Sequence, residues 1–243
     1  VPSIIRPQKH FDTILYTGNA STQKITGLEF KPDMIWFKSR TSSSTHGMAD
    51  SVRGRSKLFY PDTNQAEETS DSTRDLVSFD DGGFTVGNPQ RLNSTNGSGL
   101  SIVAWCWKAG GAAVTNTDGT INTQVSVNEE AGFSIAAYTG NGATTATIGH
   151  GLGKTPAWII IKNRSSSADW VVMHEGIGSY DGGNYKHQPI KLNSSGAKTS
   201  ILGIWQTPNS STQQISDGQT SSDNRSLTNT SGDNYVAYFW AEI

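Results

Sequence analysis

Histidines and paired carboxylates are the residues of this chain whose chemistry could support catalysis or hold a metal. Five histidines occur among 243 residues. None has the paired spacing of a zinc site, such as His-x-His or His-Glu-x-x-His. His174 and Glu175 come closest to an acid–base pair, but two adjacent residues recur easily by chance. We interpret them as a polar pair at the end of a strand, and the sequence predicts no metal site.

Three pairs of adjacent carboxylates occur, at residues 67–68, 80–81 and 129–130. Neighbouring residues of a strand point to opposite faces, so one such pair cannot flank a single glycosidic bond. We expect these pairs in solvated turns, where an aspartate near Gly82 or Gly218 could hold a weakly bound cation. Because no catalytic constellation stands out, the sequence predicts a protein that is not an enzyme and binds no cofactor.

Aromatic residues outside the strand patterns are the stronger candidates for a binding site. A ring beside carboxylate and amide groups can hold a sugar, since it stacks on the apolar face while the polar groups bond the hydroxyls. Segment 179–188 (SYDGGNYKHQ) is the best such loop, because only the second half of the chain contains it. The alternative is that Trp170 and Trp205 only cover the core. The candidate ligand-binding residues are Trp170, Tyr180, Asp181, Tyr185 and Trp205.

The composition argues against several classes of partner. Charged residues make up 16 % of the chain and the formal net charge is −2, so no basic face is expected for nucleic-acid phosphates. No apolar run reaches the roughly 18 residues of a membrane-spanning helix, and the sequence predicts no membrane insertion. Cys106 is the only cysteine. It can form no intramolecular disulfide and is predicted to be a small buried hydrophobic residue.

Blocks of sequence recur in the same order in the two halves of the chain. PDMIWFKSR at residues 32–40 is echoed by PAWIIIKNR at residues 156–164, and YTGN occurs at residues 16–19 and again at 138–141. TNGSGLSIVAWCW, from Thr95, is answered by TNTSGDNYVAYFW, from Thr228. Such persistence predicts an internal duplication. We predict an N-terminal arm (residues 1–10), a first repeat (11–109), a linker (110–130) and a second repeat (131–243).

Alternation with a period of two dominates these blocks and predicts strands. Ile35 and Phe37 would share one face of a strand, with Trp36 and Lys38 on the other. The polar ends at Lys38 and Lys162 are expected to mark where each strand leaves the core. Residues 102–107 and 235–240 are apolar on both faces, which predicts central strands. The expected fold is all-β: two tandem antiparallel β-sandwich-like halves related by an internal duplication with a pseudo-twofold.

From Phe11 onward the chain resembles a family of bacteriophage virion proteins, found especially in cyanophages and other marine phages. The resemblance rests on F-x-T-x-x-YTGN, Q-x-I-T-G-L-x-F-x-PD, DSVRG, GFTVG and VAWCWKAGG in the first half. In the second half it rests on GFSI, YTG, GHGLG, KNR, WVVMH and YVAY. The family is known mainly as structural or tail-fibre-associated sequence, and its pattern assigns no catalytic residues.

The resemblance implies a virion structural protein that is assembled in the bacterial host cytoplasm and then displayed outside the cell on the particle. A tail fibre, a capsid fibre and a decoration protein all fit this role. We expect other virion proteins and further copies of the chain as partners, and host-surface polysaccharide as the ligand for adsorption. The alternatives are a purely structural adaptor between virion components and a glycan-degrading tail depolymerase.

Overall fold

Alternating apolar and polar residues form short antiparallel strands throughout the computed structural model of the protein. The structure describes residues 6–177, 179–180, 186–187, 189–196, 208–216 and 227–243. The chain separates into two compact units. Unit 1 comprises Val1–Thr63 and Glu67–Gly111, and unit 2 comprises Asn64–Ala66 and Ala112–Ile243.

Unit 1 is built on a four-stranded sheet with the order β1-β9-β3-β4. A second sheet has the order β2-β8-β7, and β5 pairs with β6. A 3₁₀ turn (Pro7–Lys9) and one helical turn, α1 (Asn93–Asn96), complete the unit. The strands are β1 (Phe11–Thr17), β2 (Gln23–Thr26), β3 (Met34–Ser39), β4 (Gly47–Asp50), β5 (Lys57–Leu58), β6 (Glu68–Thr69), β7 (Leu76–Asp80), β8 (Gly83–Val86) and β9 (Ser101–Trp107).

The core of unit 1 lies between its two larger sheets. Ile35 and Phe37 of β3 enter this core, as their alternation predicts, and the ring of Phe37 meets that of Phe84 at 5.5 Å between centroids. Strand β9 is central, as predicted, and its residue Cys106 is fully buried. Burial raises the pKa of the Cys106 thiol, because the core disfavours the thiolate.

Unit 2 is built on a seven-stranded sheet with the order β10-β11-β12-β20-β14-β15-β18. Strands β13 and β19 form a second, two-stranded sheet, and β16 pairs with β17. A 3₁₀ turn spans Glu175–Ile177. The strands are β10 (Val114–Asn116), β11 (Thr123–Asn128), β12 (Phe133–Thr139), β13 (Ala146–Gly149), β14 (Pro156–Asn163), β15 (Val171–His174), β16 (Ser179–Tyr180), β17 (Lys186–His187), β18 (Ile190–Lys191), β19 (Thr212–Ile215) and β20 (Asn234–Ala241).

The two units use the same strand order in their main sheets. β1-β9-β3-β4 of unit 1 corresponds to β12-β20-β14-β15 of unit 2, and Ile159 and Ile161 of β14 enter the core as Ile35 and Phe37 do. Every pairing between named strands of the described residues is antiparallel. The predicted all-β, sandwich-like class is therefore confirmed, while the origin of the two units by duplication stays a prediction.

The predicted linker, residues 110–130, is wrong as a description of this segment. It contains β10 and β11, which extend the sheet of unit 2 beyond β12. Val125 contributes to the core of that unit. The segment reads as a linker because short strands rich in Thr, Gln and Asn alternate weakly, whereas pairing with β12 decides their conformation.

The predicted N-terminal arm is tied down where the structure describes it. The Lys108 N–H donates to the His10 carbonyl at 2.8 Å, and the Arg6 guanidinium pairs with the Glu29 carboxylate at 2.5 Å. Residues 6–10 therefore belong to unit 1, and residues 1–5 lie outside the described residues. In the part of the chain that is described, no helix is long and apolar enough to cross a membrane.

Candidate functional site

An aromatic face forms on the main sheet of unit 1, on the side turned away from the core. It consists of Phe11 on β1, Trp36 on β3, and Trp105 and Trp107 on β9. These residues alternate with core residues, and the strand register places Phe11 opposite Trp107 and Trp36 opposite Trp105. Two rows of rings therefore cross neighbouring strands.

The rings of the aromatic face pack against each other and remain partly exposed. Trp36 and Trp105 meet edge to face, with 6.2 Å between centroids and 78° between planes. The ring centroids of Phe11 and Trp107 are 4.9 Å apart, and the ring planes are tilted by 48°. Phe11 is 40 % exposed, and the three tryptophans are half-buried. In an edge-to-face pair, the ring that contributes its edge keeps both of its own faces clear of its partner.

Polar groups border the Trp36 end of the aromatic face. The Trp36 indole N–H donates to His46 Nδ1 at 3.0 Å, so the neutral imidazole carries its proton on Nε2. Burial lowers the pKa of His46; Asp62 opposes this shift and Lys38 adds to it. The Lys38 ammonium donates to the Ser44 carbonyl at 2.9 Å. Stacking surface thus lies close to an imidazole and an ammonium group.

Unit 2 has a related cluster at one end of its main sheet. The ring centroids of Phe133 and Trp240 are 5.1 Å apart. Trp158 stacks on Trp240, with 4.2 Å between ring centroids and 22° between ring planes. Trp158 and Trp240 are half-buried. The Phe–Trp pair is thus present in both units, whereas the second row of unit 1, formed by Trp36 and Trp105, has no aromatic pair at the matching place in unit 2, where Ile160 faces Tyr238.

The expectation that Trp170 offers an exposed stacking surface is wrong, because its side chain is fully buried. Its neighbour Asp169 bonds Lys191 at 2.6 Å and Asn193 at 2.8 Å. Burial favours the protonated acid, but these bonds outweigh it and lower the pKa of Asp169. Tyr180 lies in β16, and its side chain is outside what the structure describes. The candidates outside the described residues are Asp181, Tyr185 and Trp205.

Lys162 is also buried, which corrects the expectation that strand β14 leaves the core there. Its ammonium donates to the carbonyls of Ala168 at 2.7 Å and Asn64 at 3.2 Å, and lies 5.9 Å from the centre of the Trp170 ring. Burial lowers the pKa of Lys162 to about 8, against the opposing influence of Asp169. Trp170 and Lys162 therefore form a buried cation–aromatic contact.

Replacing Lys162 by methionine should remove a pH-dependent component of stability. Between pH 8 and the ordinary lysine pKa of 10.5, the unfolded chain binds more protons at this residue than the folded chain. The free energy of unfolding contributed by Lys162 therefore rises with pH across that window, by at most about 3 kcal/mol. Urea unfolding of both proteins from pH 7 to 10.5 measures the difference, in which other titrating groups cancel. A constant difference would contradict the assignment.

Two histidines, His150 and His174, belong to unit 2 and not to the unit with the aromatic face. Nδ1 of the fully buried His150 accepts from the Leu152 N–H at 3.2 Å, so Nε2 carries the proton toward the Asn209 carbonyl at 3.1 Å. Burial lowers the pKa of this imidazole. His174 ends β15 and is exposed, as expected for a polar pair at a strand end. Among the described residues, no group of three His, Cys, Asp or Glu side chains could hold a metal ion.

Sequence reasoning missed a buried charge cluster in DSVRG. The Asp50 carboxylate accepts from the Arg53 backbone N–H at 2.8 Å and from Arg53 Nε at 2.5 Å. Arg53 Nη1 reaches Glu67 at 3.1 Å, and the guanidinium lies 4.1 Å from the centre of the Phe59 ring. Glu67 therefore belongs to a buried network and not to a solvated turn. The signal was the DSVRG motif, on which the resemblance to virion proteins partly rests.

Each unit also contains a buried asparagine that ties the YTGN turn to a distant segment, and we call this arrangement the Asn clamp. In unit 1, Asn96 Oδ1 accepts from the Asn19 N–H at 3.0 Å, and Tyr16 donates to the Thr95 carbonyl at 2.5 Å. A Cβ on Gly18 would lie 2.2 Å from the Gly97 carbonyl oxygen, so the turn requires glycine.

Unit 2 repeats the Asn clamp with its own residues. Asn229 Oδ1 accepts from the Asn141 N–H at 3.0 Å, and the Tyr138 hydroxyl donates to the Thr228 carbonyl at 2.7 Å. Both asparagines are fully buried. The recurring YTGN and TN blocks thus encode scaffold geometry, and the repetition itself was the signal that could have identified the clamp.

Comparison with known proteins yields one family. A family model described as a domain of unknown function matches residues 6–243, nearly the whole chain. The searches of curated proteins and of solved structures found no match.

Proposed function

The chain belongs to the DUF7483 family, whose function is unknown, and from its residues we propose a non-enzymatic virion component displayed on a bacteriophage particle. We further propose that its aromatic face contacts host-surface glycan during adsorption. The observation that carries the glycan proposal is the half-buried Trp36–Trp105 pair beside His46 and Lys38.

The virion part of the proposal is supported by the resemblance of the ordered motifs to phage virion proteins. The composition agrees with such a role, since 16 % charged residues and an all-β fold with many turns suit a displayed module. Other virion proteins are its partners, and it is assembled in the host cytoplasm and then carried outside the cell on the particle.

The glycan part follows from the chemistry of the aromatic face. A sugar ring presents C–H groups on one face and hydroxyls around its edge, so it suits an indole plane bordered by hydrogen-bonding groups. The Nε2–H of neutral His46 and the Lys38 ammonium are donors near the Trp36 ring. A single face of this kind gives weak contacts, which many copies on one particle would multiply.

Trp105 allows a matched test of stacking. Leucine at this position retains apolar bulk but lacks a ring, whereas phenylalanine retains a ring, so Trp105→Leu should weaken adsorption about tenfold and Trp105→Phe distinctly less. The effects of both substitutions are measured by the binding of the purified variants to host cells and to a glycan array. Val114→Ala, which alters an exposed apolar side chain of β10, serves as the control with unchanged binding.

Unchanged adsorption by Trp105→Leu would contradict the glycan proposal and favour a structural adaptor. One feature supports that second candidate, namely the edge of β1 with which no described strand pairs and where Phe11 and Leu15 are exposed. Release of oligosaccharide from host polysaccharide would instead indicate a depolymerase and contradict the non-enzymatic assignment.

A further inference from the structure

Strand β1 is an edge strand. Among the described strands it pairs only with β9, on one side, and on its other side the Gln23 Nε2–H bonds the Thr17 carbonyl at 3.1 Å, beyond the stretch from Phe11 to Leu15. Bonds from the Lys108 N–H to the His10 carbonyl and from the Gly18 N–H to the Leu100 carbonyl fix which residues face β9. In an antiparallel ladder the direction alternates, so even-numbered residues of β1 bond to β9 and odd-numbered residues point their backbone groups outward.

Exposed apolar side chains accompany this open backbone. Phe11 is 40 % exposed and Leu15 is 59 % exposed, and both lie with Thr13 on the same face of the sheet. They are two of the four large hydrophobic residues classed as exposed in the described part of the chain. Edge strands are usually protected by charges or prolines, and an apolar open edge favours pairing with another strand.

Unit 2 shows that this type of sheet accepts a further strand at the same edge. Its strand β12 pairs with β20 as β1 pairs with β9, and β11 covers its other side, with Ser126 opposite Ile135 and Gln124 opposite Ala137. The residues of β12 that bond to β11 are the counterparts of the outward-facing residues of β1. The pairing geometry required at β1 is therefore already realised within this chain.

We propose that β1 pairs antiparallel with β1 of a second copy of the chain, around a twofold axis at Thr13. This register places Phe11 opposite Leu15 of the second copy, so the two exposed apolar residues cover each other. It also places Asp12 opposite Ile14, so no like charges face each other directly. The two four-stranded sheets become one eight-stranded sheet, and both aromatic faces lie on the same side of it.

Association replaces one hydrogen bond within the chain. The Thr13 N–H donates to its neighbour Asp12 Oδ1 at 2.7 Å, and in the dimer it donates instead to the Thr13 carbonyl of the second copy. The Asp12 carboxylate therefore competes with dimer formation. Asp12→Ala is expected to tighten the dimer severalfold, and no change or a weaker dimer would contradict this role of Asp12.

Cysteine cross-linking tests the register. Cys106 is the only cysteine and is fully buried, so a cysteine introduced on β1 is the only accessible thiol. Two cysteines at position 13 would face each other with about 5.5 Å between Cα atoms, within disulfide range. Two at position 15 would be about 14 Å apart. Under mild oxidation, Thr13→Cys should form a covalent dimer and the matched control Leu15→Cys should not.

The association itself is measured by sedimentation equilibrium and light scattering of the full chain. Wild type should form a dimer, and Leu15→Lys should raise its dissociation constant at least tenfold. The unfolding midpoints of the two proteins should agree at concentrations low enough for both to be monomeric. A wild-type monomer at all concentrations, or equal cross-linking of both cysteine variants, would overturn the proposal. The outcome does not depend on glycan binding, which monomeric Leu15→Lys should retain through Trp36 and Trp105.

Discussion

Arg53→Met is expected to lower the free energy of unfolding of unit 1 by about 3–5 kcal/mol. The Arg53 side chain is fully buried, bonds the Asp50 carboxylate at 2.5 Å and reaches Glu67 at 3.1 Å. Methionine removes the guanidinium and leaves the Asp50 and Glu67 carboxylates without the cation that neutralises them. Uncompensated buried charge is what makes the loss large, since the pair itself has little net effect on stability.

Urea unfolding followed by tryptophan fluorescence and circular dichroism measures this loss. Arg55→Met is the matched control, because Arg55 lies two residues away and makes an exposed bond to the Ser72 carbonyl at 2.9 Å. Arg55→Met should lower the free energy of unfolding by less than about 1 kcal/mol. Equal losses for Arg53→Met and Arg55→Met would show that the buried network does not stabilise unit 1.

Asn96→Ala should lower the free energy of unfolding by about 2–4 kcal/mol, because it removes a fully buried side chain that bonds one buried and two partly buried backbone groups. Its amide donates to the carbonyls of Gly87 at 2.8 Å and Ser21 at 2.6 Å, and its oxygen accepts from the Asn19 N–H at 3.0 Å. Asn229→Ala should cause a similar loss in unit 2, since the Asn clamp there has the same construction.

Asn93→Ala provides the control for the Asn clamp in unit 1. Asn93 is exposed at the start of the same helical turn, and its replacement should change the free energy of unfolding by less than about 0.5 kcal/mol. Hydrogen exchange of the Asn19 amide should accelerate in Asn96→Ala and not in Asn93→Ala. A loss for Asn96→Ala no greater than for Asn93→Ala would contradict a stabilising role for the clamp.

The strands that the sequence predicts best are those with strong apolar–polar alternation and a buried face. Ile35 and Phe37 face the core as predicted, and β9 and β20 are central because both of their faces are apolar. Strands β10 and β11 escaped prediction, since their alternation is weak and their partner β12 supplies the stabilising contacts.

The burial of individual side chains was the main property that sequence reasoning could not assign. Trp170 lies in a segment without alternation, and its buried position is fixed by backbone bonds to Leu192 and Asn193, more than 20 positions away in sequence. Lys162 was expected at a strand exit, but carbonyls of Ala168 and Asn64 satisfy its ammonium inside unit 2. The aromatic face was missed because Trp36 and Trp105 become neighbours only through the pairing of β3 with β9.

The two Asn clamps close over different lengths of chain. Asn19 and Asn96 are separated by 77 positions, whereas Asn141 and Asn229 are separated by 88. Loop-closure entropy grows only with the logarithm of length, so this difference costs about 0.1 kcal/mol. The segments between the clamped ends can therefore accept insertions while the sheets keep their register, which makes them suitable places for grafting foreign peptides and for rapid sequence divergence.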